Sequence, residues 1–414
     1  MSCSTRLPRQ LASIVLLISL ASACDLSAPS ASPSASTGAS RNTTPTAPTS
    51  STQPSATPQG TDEPDCATRT FASLTVEQRI GQLFVIGLTK DRLDAAERRA
   101  IRERHFGSMA FTTQTSIGAV AVHRITDAVQ TLATPENTGS VRFFIAANQE
   151  GGLIQGLSGP GFDRIPSALL QGSLTAAALR QKAASWGRQL AAAGVNFNFA
   201  PVADVVPPGT DARNAPIGRL QREFGHAPET VARHVTAFIV GMRTAGIATS
   251  AKHFPGLGRV AGNTDFTSGV VDSITTRDDP FIQPFAAAIK TRVPFVMVSL
   301  ATYEQIDPTH LAVFSPTVIS DILRGDLRFD GVVISDAIGG TAAVSAITPG
   351  DRAIDFLLAG GDMIISNQVA PATEMALALT ARVTADASFR ARVDDAALRV
   401  LRAKDATGLL PCSS

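Results

Sequence analysis

From about residue 82 onward, short apolar runs alternate with longer stretches in which apolar residues return every three or four positions. The runs cover residues 82–87 (QLFVIG), 107–111, 143–148, 196–200, 247–253, 295–300, 331–336 and 362–366. A short, continuously apolar run between turn residues reads as a strand buried on both faces, as in a parallel sheet. The stretches between them read as helices. In the clearest, Thr348 offers a cap, Pro349 suits the first turn, Ile354, Leu357 and Leu358 recur at helical spacing, and Gly360 and Gly361 stop it. Eight strands alternating with helices over residues 66–414 predict an α/β fold, a single-domain (β/α)8 TIM barrel. A doubly wound open sheet is the other architecture that this alternation permits. No internal repeat is visible.

In such a barrel, chemistry sits at the C-terminal ends of the strands. Those ends read Asn148-Gln149-Glu150, Pro201 to Asp204, Lys252-His253, Ser299 and Asp336. Polar groups converging on one mouth suit a ligand with many hydroxyls, such as a sugar. After His253 come Pro255, Gly256, Gly258 and Gly262, which forbid a helix and predict a hinged loop. That loop would deliver Asn263 and Asp265 to the mouth.

Five motifs then stand in order. They are Gln149-Glu-Gly-Gly152, Asn198-Phe-Ala-Pro-Val-Ala-Asp204, Arg222-Glu-Phe-Gly225, Lys252-His-Phe-Pro-Gly-Leu-Gly258 and Gly331-Val-Val-Ile-Ser-Asp336. Together they resemble glycoside hydrolase family 3, in its single-barrel bacterial β-N-acetylhexosaminidase branch, over about residues 74–410. The resemblance implies retaining, cofactor-free and metal-free hydrolysis of terminal β-linked N-acetylglucosamine, often from cell-wall fragments. It makes Asp336 the nucleophile, a role that suits a carboxylate held at a strand end. It makes Lys252, His253 and Arg222 ligands of the sugar. Asp204 reads equally as a ligand or as a buried structural carboxylate.

Two departures from the family pattern matter. Where the branch carries Asp-Ser-His on its mobile loop, with His as acid/base, this chain has Asn263, Thr264 and Asp265. Asp265 is therefore expected to take the acid/base role, with Asp272, Asp278 and Asp279 as weaker replacements. A free Asp titrates near 3.9, so at neutral pH its pKa has to rise by at least about two units. After the third strand the family's Asp and two arginines become Asn148, Leu153 and Gly156. Asn148 remains a candidate hydroxyl ligand, without the strength of a charged pair.

Composition narrows the setting. A net charge of +1 lacks the basic footprint that nucleic acid needs. Arg6 and Arg9 precede an apolar run over residues 11–20, and Ala21-Ser22-Ala23-Cys24 follows. This resembles a lipoprotein signal of actinobacterial type, covering residues 1–23, with Cys24 lipidated. Residues 24–65 are rich in Ser, Thr and Pro and are expected to be a disordered linker. The protein is thus expected to be exported and lipid-anchored to the outer face of the cell membrane, and to be monomeric. In that oxidising compartment Cys66 and Cys412 are expected to form a disulfide. The remaining histidines, His105, His123, His226, His234 and His310, show no ligand spacing, so no metal is expected. Three other readings stay open: a sugar-binding lipoprotein whose catalysis has decayed, a β-glucosidase specificity, and a Schiff-base lyase using Lys252.

Overall fold

A computed structural model describes residues 63–88 and 91–412. The expected signal segment, Cys24 and nearly all of the linker lie outside the described residues. The eight barrel strands are β1 (Phe84–Leu88), β2 (Ser108–Phe111), β3 (Phe144–Ala147), β4 (Phe197–Asn198), β5 (Ala248–Phe254), β6 (Phe295–Val298), β7 (Val332–Ala337) and β8 (Met363–Ser366). Each pairs in parallel with the next, and β8 closes onto β1 through Phe84 opposite Ile364. The closed barrel rules out the doubly wound open sheet.

The apolar runs mark these strands to within two or three residues. Gln82 ends the helix Val76–Gln82, so β1 starts later than its run. The β4 ladder covers only Phe197 and Asn198. The helix Pro349–Leu358 matches its sequence signals, and Thr348 accepts from Asp351 N–H at its N-terminus.

The barrel interior is plugged at depth by aromatic rings. Phe197 stacks on Phe295 with centroids 4.2 Å apart, and Phe144 meets Phe295 edge-on at 5.5 Å. These residues sit at the starts of β3, β4 and β6, so the plug lies toward the N-terminal ends of the strands. Cys66, opening the first helix, is disulfide-bonded to Cys412 near the end of the chain, with Cα atoms 5.8 Å apart. Among the described residues no helix is long and apolar enough to cross a membrane.

Candidate active site

A cavity of about 490 Å³ occupies the mouth. That is within the range of small-ligand sites. Asn148, Arg222, Lys252, His253, Asp265 and Asp336 all line it. Six of the seven candidate site residues are therefore brought together.

β5 presents two of them. Its register against β6 slips by one residue between Lys252 and Phe254. Successive strand residues normally face opposite sides, and a bulge re-aims them. Here the neighbours Lys252 and His253 both reach the cavity. β7 shows a similar irregularity between Ile334 and Ala337, beside Asp336. The Asp336 carboxylate is half-buried and accepts a hydrogen bond from Ala337 N–H at 2.7 Å.

The charges are organised by Glu150, in the short strand Gln149–Gly151 of a two-stranded hairpin that follows β3. The Arg222 guanidinium grips it bidentately, Nε to Oε2 and Nη2 to Oε1, both at 2.8 Å. Lys252 Nζ reaches the same carboxylate at 2.6 Å and donates to Asn148 Oδ1 at 2.7 Å. Burial alone would raise the Glu150 carboxyl, but Arg222 and Lys252 outweigh it and hold it down at about 2. Burial lowers the Lys252 ammonium below its usual range, against the pull of Glu150. The same carboxylate holds Arg222 above its ordinary value despite burial. In the sequence Glu150 stands at a strand end and within the Gln149-Glu-Gly-Gly152 motif, and no role followed from either. Thr112 after β2 and Asn367 and Gln368 after β8 also line the cavity. Their signal was the same, a polar residue just past a strand.

Asp204 does not reach the cavity, and its reading as a sugar ligand is corrected. It is fully buried behind His253. One oxygen faces His253 Nδ1 at 2.8 Å, and the other accepts from Leu257 N–H at 2.7 Å and His253 N–H at 3.2 Å. With its oxygens committed to these donors, it orients the imidazole and anchors the start of the loop. Arg222 Nη2 lies 3.5 Å from His253 Nε2, so the network assigns the ring proton to Nδ1.

The loop after β5 is pinned at both ends. A Cβ on Gly258 would stand 1.8 Å from Val205 O, so only glycine fits there. The chain's only tyrosine, Tyr303, is buried and donates to Gly256 O at 2.8 Å. Further along, Ala342 N–H donates to Asp265 O and Ala343 N–H to Thr264 O, each at 3.2 Å. Thr264 is buried while Asp265 and Phe266 remain exposed. The loop is thus seated against the segment after β7 and hangs Asp265 over the cavity. Loss of water on the cavity side, then the charge of Asp336, push the Asp265 carboxyl above its ordinary value.

The weaker acid candidates are committed elsewhere. Asp272 is buried and bonded to Thr275, and Asp279 pairs with Arg259 and caps Phe281. Neither of them lines the cavity, and nor does Asp278. Leu153 is exposed, and Gly156 packs on the backbone of Asn148, where a Cβ would meet its carbonyl at 3.1 Å.

Residues 75–403 match the glycosyl hydrolase family 3 N-terminal domain. A beta-hexosaminidase of Methylococcus capsulatus is 35% identical over 272 residues, covering 63% of this chain and 78% of that protein. The crystal structure of a beta-N-acetylhexosaminidase from Beutenbergia cavernae has a TM-score of 0.79 at 47% identity, over 80% of this chain and 98% of that one. The structure of a glycoside hydrolase family 3 beta-N-acetylglucosaminidase from a Paenibacillus has a TM-score of 0.72 at 27% identity, over 81% of this chain and 63% of that one. With a match across the whole barrel and a polar cavity at its mouth, this chain belongs to glycosyl hydrolase family 3 and is a glycosidase acting on O-glycosyl bonds.

Proposed function

We propose that the enzyme is a retaining glycosidase that removes terminal β-linked N-acetylglucosamine from cell-wall-derived saccharides. Asp336 attacks the anomeric carbon while Asp265 protonates the departing glycosidic oxygen. The aglycone leaves and a glycosyl ester on Asp336 remains. Asp265, now a carboxylate, takes a proton from water as the water oxygen attacks the same carbon and releases Asp336. The reading rests chiefly on one observation: Asp336 and Asp265 line the same cavity, the second lifted above its ordinary pKa partly by the first. A pKa raised in that way is what an acid working near neutral pH requires.

Donor counting supports a sugar. Lys252 has three N–H groups, of which Glu150 and Asn148 take two. Arg222 has five, of which Glu150 and Pro216 O take three and His253 faces a fourth at 3.5 Å. The remaining donors suit hydroxyls. The names of the relatives favour an N-acetylhexosaminide over a plain glucoside. Lys252 Nζ is taken up by Glu150 and Asn148, an arrangement that suits holding a ligand rather than attacking a carbonyl.

Converting Asp265 to Ala should slow N-acetylglucosaminides with poor leaving groups by roughly 10²–10⁴-fold, the usual worth of acid catalysis. Substrates with activated leaving groups should be nearly spared in the glycosylation step. Equal losses on both would remove Asp265 from the mechanism. Sugar binding without any turnover by the unaltered enzyme would favour the decayed, purely binding alternative. We place the enzyme at the outer face of the cell membrane, held by lipid on Cys24. Cys24→Ala should then move it from the membrane to the soluble fraction, and an unchanged distribution would end that assignment.

A further inference from the structure

The segment between β4 and the helix Pro228–Arg243 carries Arg222 into the cavity. It also holds a second group of side chains, none of which lines that cavity. Asp211, Glu223 and His226 bring one ligand atom each to within 4.8 Å of one another. Glu223 is fully buried, and among the described residues no N–H or O–H group donates to its carboxyl oxygens, which have the Asp211 carboxylate beside them. Buried polar atoms are nearly always satisfied, so two orphaned oxygens on one carboxyl need a physical account. The neighbouring groups make the need sharper: a second carboxylate, Asp211, sits 3.7 Å from His226 Nδ1.

We propose that Asp211, Glu223 and His226 form a binding site for a divalent transition-metal ion, Zn²⁺ by the character of its donors. One imidazole and two carboxylates are a borderline set that suits Zn²⁺ better than Mg²⁺ or Ca²⁺, which favour oxygen alone. Ligands at about 2.1 Å in a tetrahedron lie about 3.4 Å apart, so modest side-chain movement closes the group on an ion. The side chains of Asp211 and His226 are each 35% exposed, which leaves a way in and room for water as the fourth ligand. The surrounding loop is firmly built. Asn214 accepts from Ile217 and Gly218 N–H through Oδ1 and donates to Leu257 O and Val260 O through Nδ2. A Cβ on Gly218 would stand 2.7 Å from the backbone of Asp211, so the turn that presents Asp211 needs glycine there. An ion bound here pins the segment from which Arg222 reaches Glu150.

The test uses the whole folded protein, stripped with a chelator, dialysed, and titrated with ZnCl₂ by calorimetry and by thermal melting. One ion per chain and a rise in Tm are expected. Glu223→Gln and His226→Gln keep the side-chain size and should each weaken Zn²⁺ binding on the order of 100-fold and abolish the rise. Asp265→Asn should leave Zn²⁺ binding unchanged. The absence of saturable binding would overturn the proposal, and a carboxyl pair sharing a proton would give that result. Binding undiminished in both loop variants would also overturn it, as would binding lost in Asp265→Asn, which would put the ion in the catalytic cavity.

Discussion

The two ends of the barrel both bury charge, and they treat it differently. At the N-terminal end Asp362 is fully buried and meets Arg324, Arg392 and Arg399, with Val333 N–H donating to it at 2.9 Å. Nearby, Lys404 donates to Gln82 Oε1 and Gly107 O at 2.7 Å and to Arg142 O at 2.9 Å, which uses all three of its protons. At the mouth, Glu150 is equally well gripped, but its partners Arg222 and Lys252 keep donors in reserve, and Asp336 and Asp265 face each other's charge. A closed network gives rigidity. A network with open valences gives a binding site, at some cost in stability.

The contrast breaks most sharply at Asp336. Asp336→Ala should lower turnover of an N-acetylglucosaminide on the order of 10⁴-fold or more while the thermal melt stays near that of the unaltered protein. A variant that keeps activity would show that the mouth does not work as described.

At the opposite end the outcome should reverse. Asp362→Ala strands three arginines around an empty place and should cost about 3–5 kcal/mol of unfolding free energy in urea. The folded fraction should keep its KM. A loss of KM without a loss of stability would mean that the two ends are coupled.

Glu150 combines both behaviours. Its folded pKa of about 2 lies below the ordinary value of 4.5 for a glutamate. The stability it contributes is therefore complete above about pH 4.5 and lost as pH falls toward 2, on the order of 3 kcal/mol in all. Unfolding free energies measured across that window should decline more steeply for the unaltered chain than for Glu150→Gln. Parallel curves would mean that the Arg222 and Lys252 pairing is not felt by the proton.

The smallest effect concerns Asp265. Asp336→Asn removes one of the two causes that raise its pKa, so its titration followed by carbon NMR should move to lower pH. An unmoved titration would leave burial as the whole cause.

Local pattern was enough to read the barrel. Eight apolar runs at regular spacing encode strands covered on both faces, and a chain of alternating strands and helices has few ways to close. The same pattern placed Lys252, His253 and Asp336 at strand ends, and the cysteines at the two ends of the folded part were recognisable as a pair. Family motifs added Arg222 and the loop position of Asp265. Periodicity reports that a residue is buried; it carries no information on which distant group it meets. Glu150 is 72 residues from Arg222, and Asn148 is 104 from Lys252. Only the closing of the barrel makes those pairs neighbours. Asp204 turned inward for the same reason, because His253 on β5, arriving 49 residues later, supplied its backbone N–H and its ring Nδ1 to the two oxygens. His226 stands close to Glu223 along the chain, and the fold set Asp211 beside both. The linear order of residues determined which surfaces are buried, and the tertiary structure alone decided which charges share them.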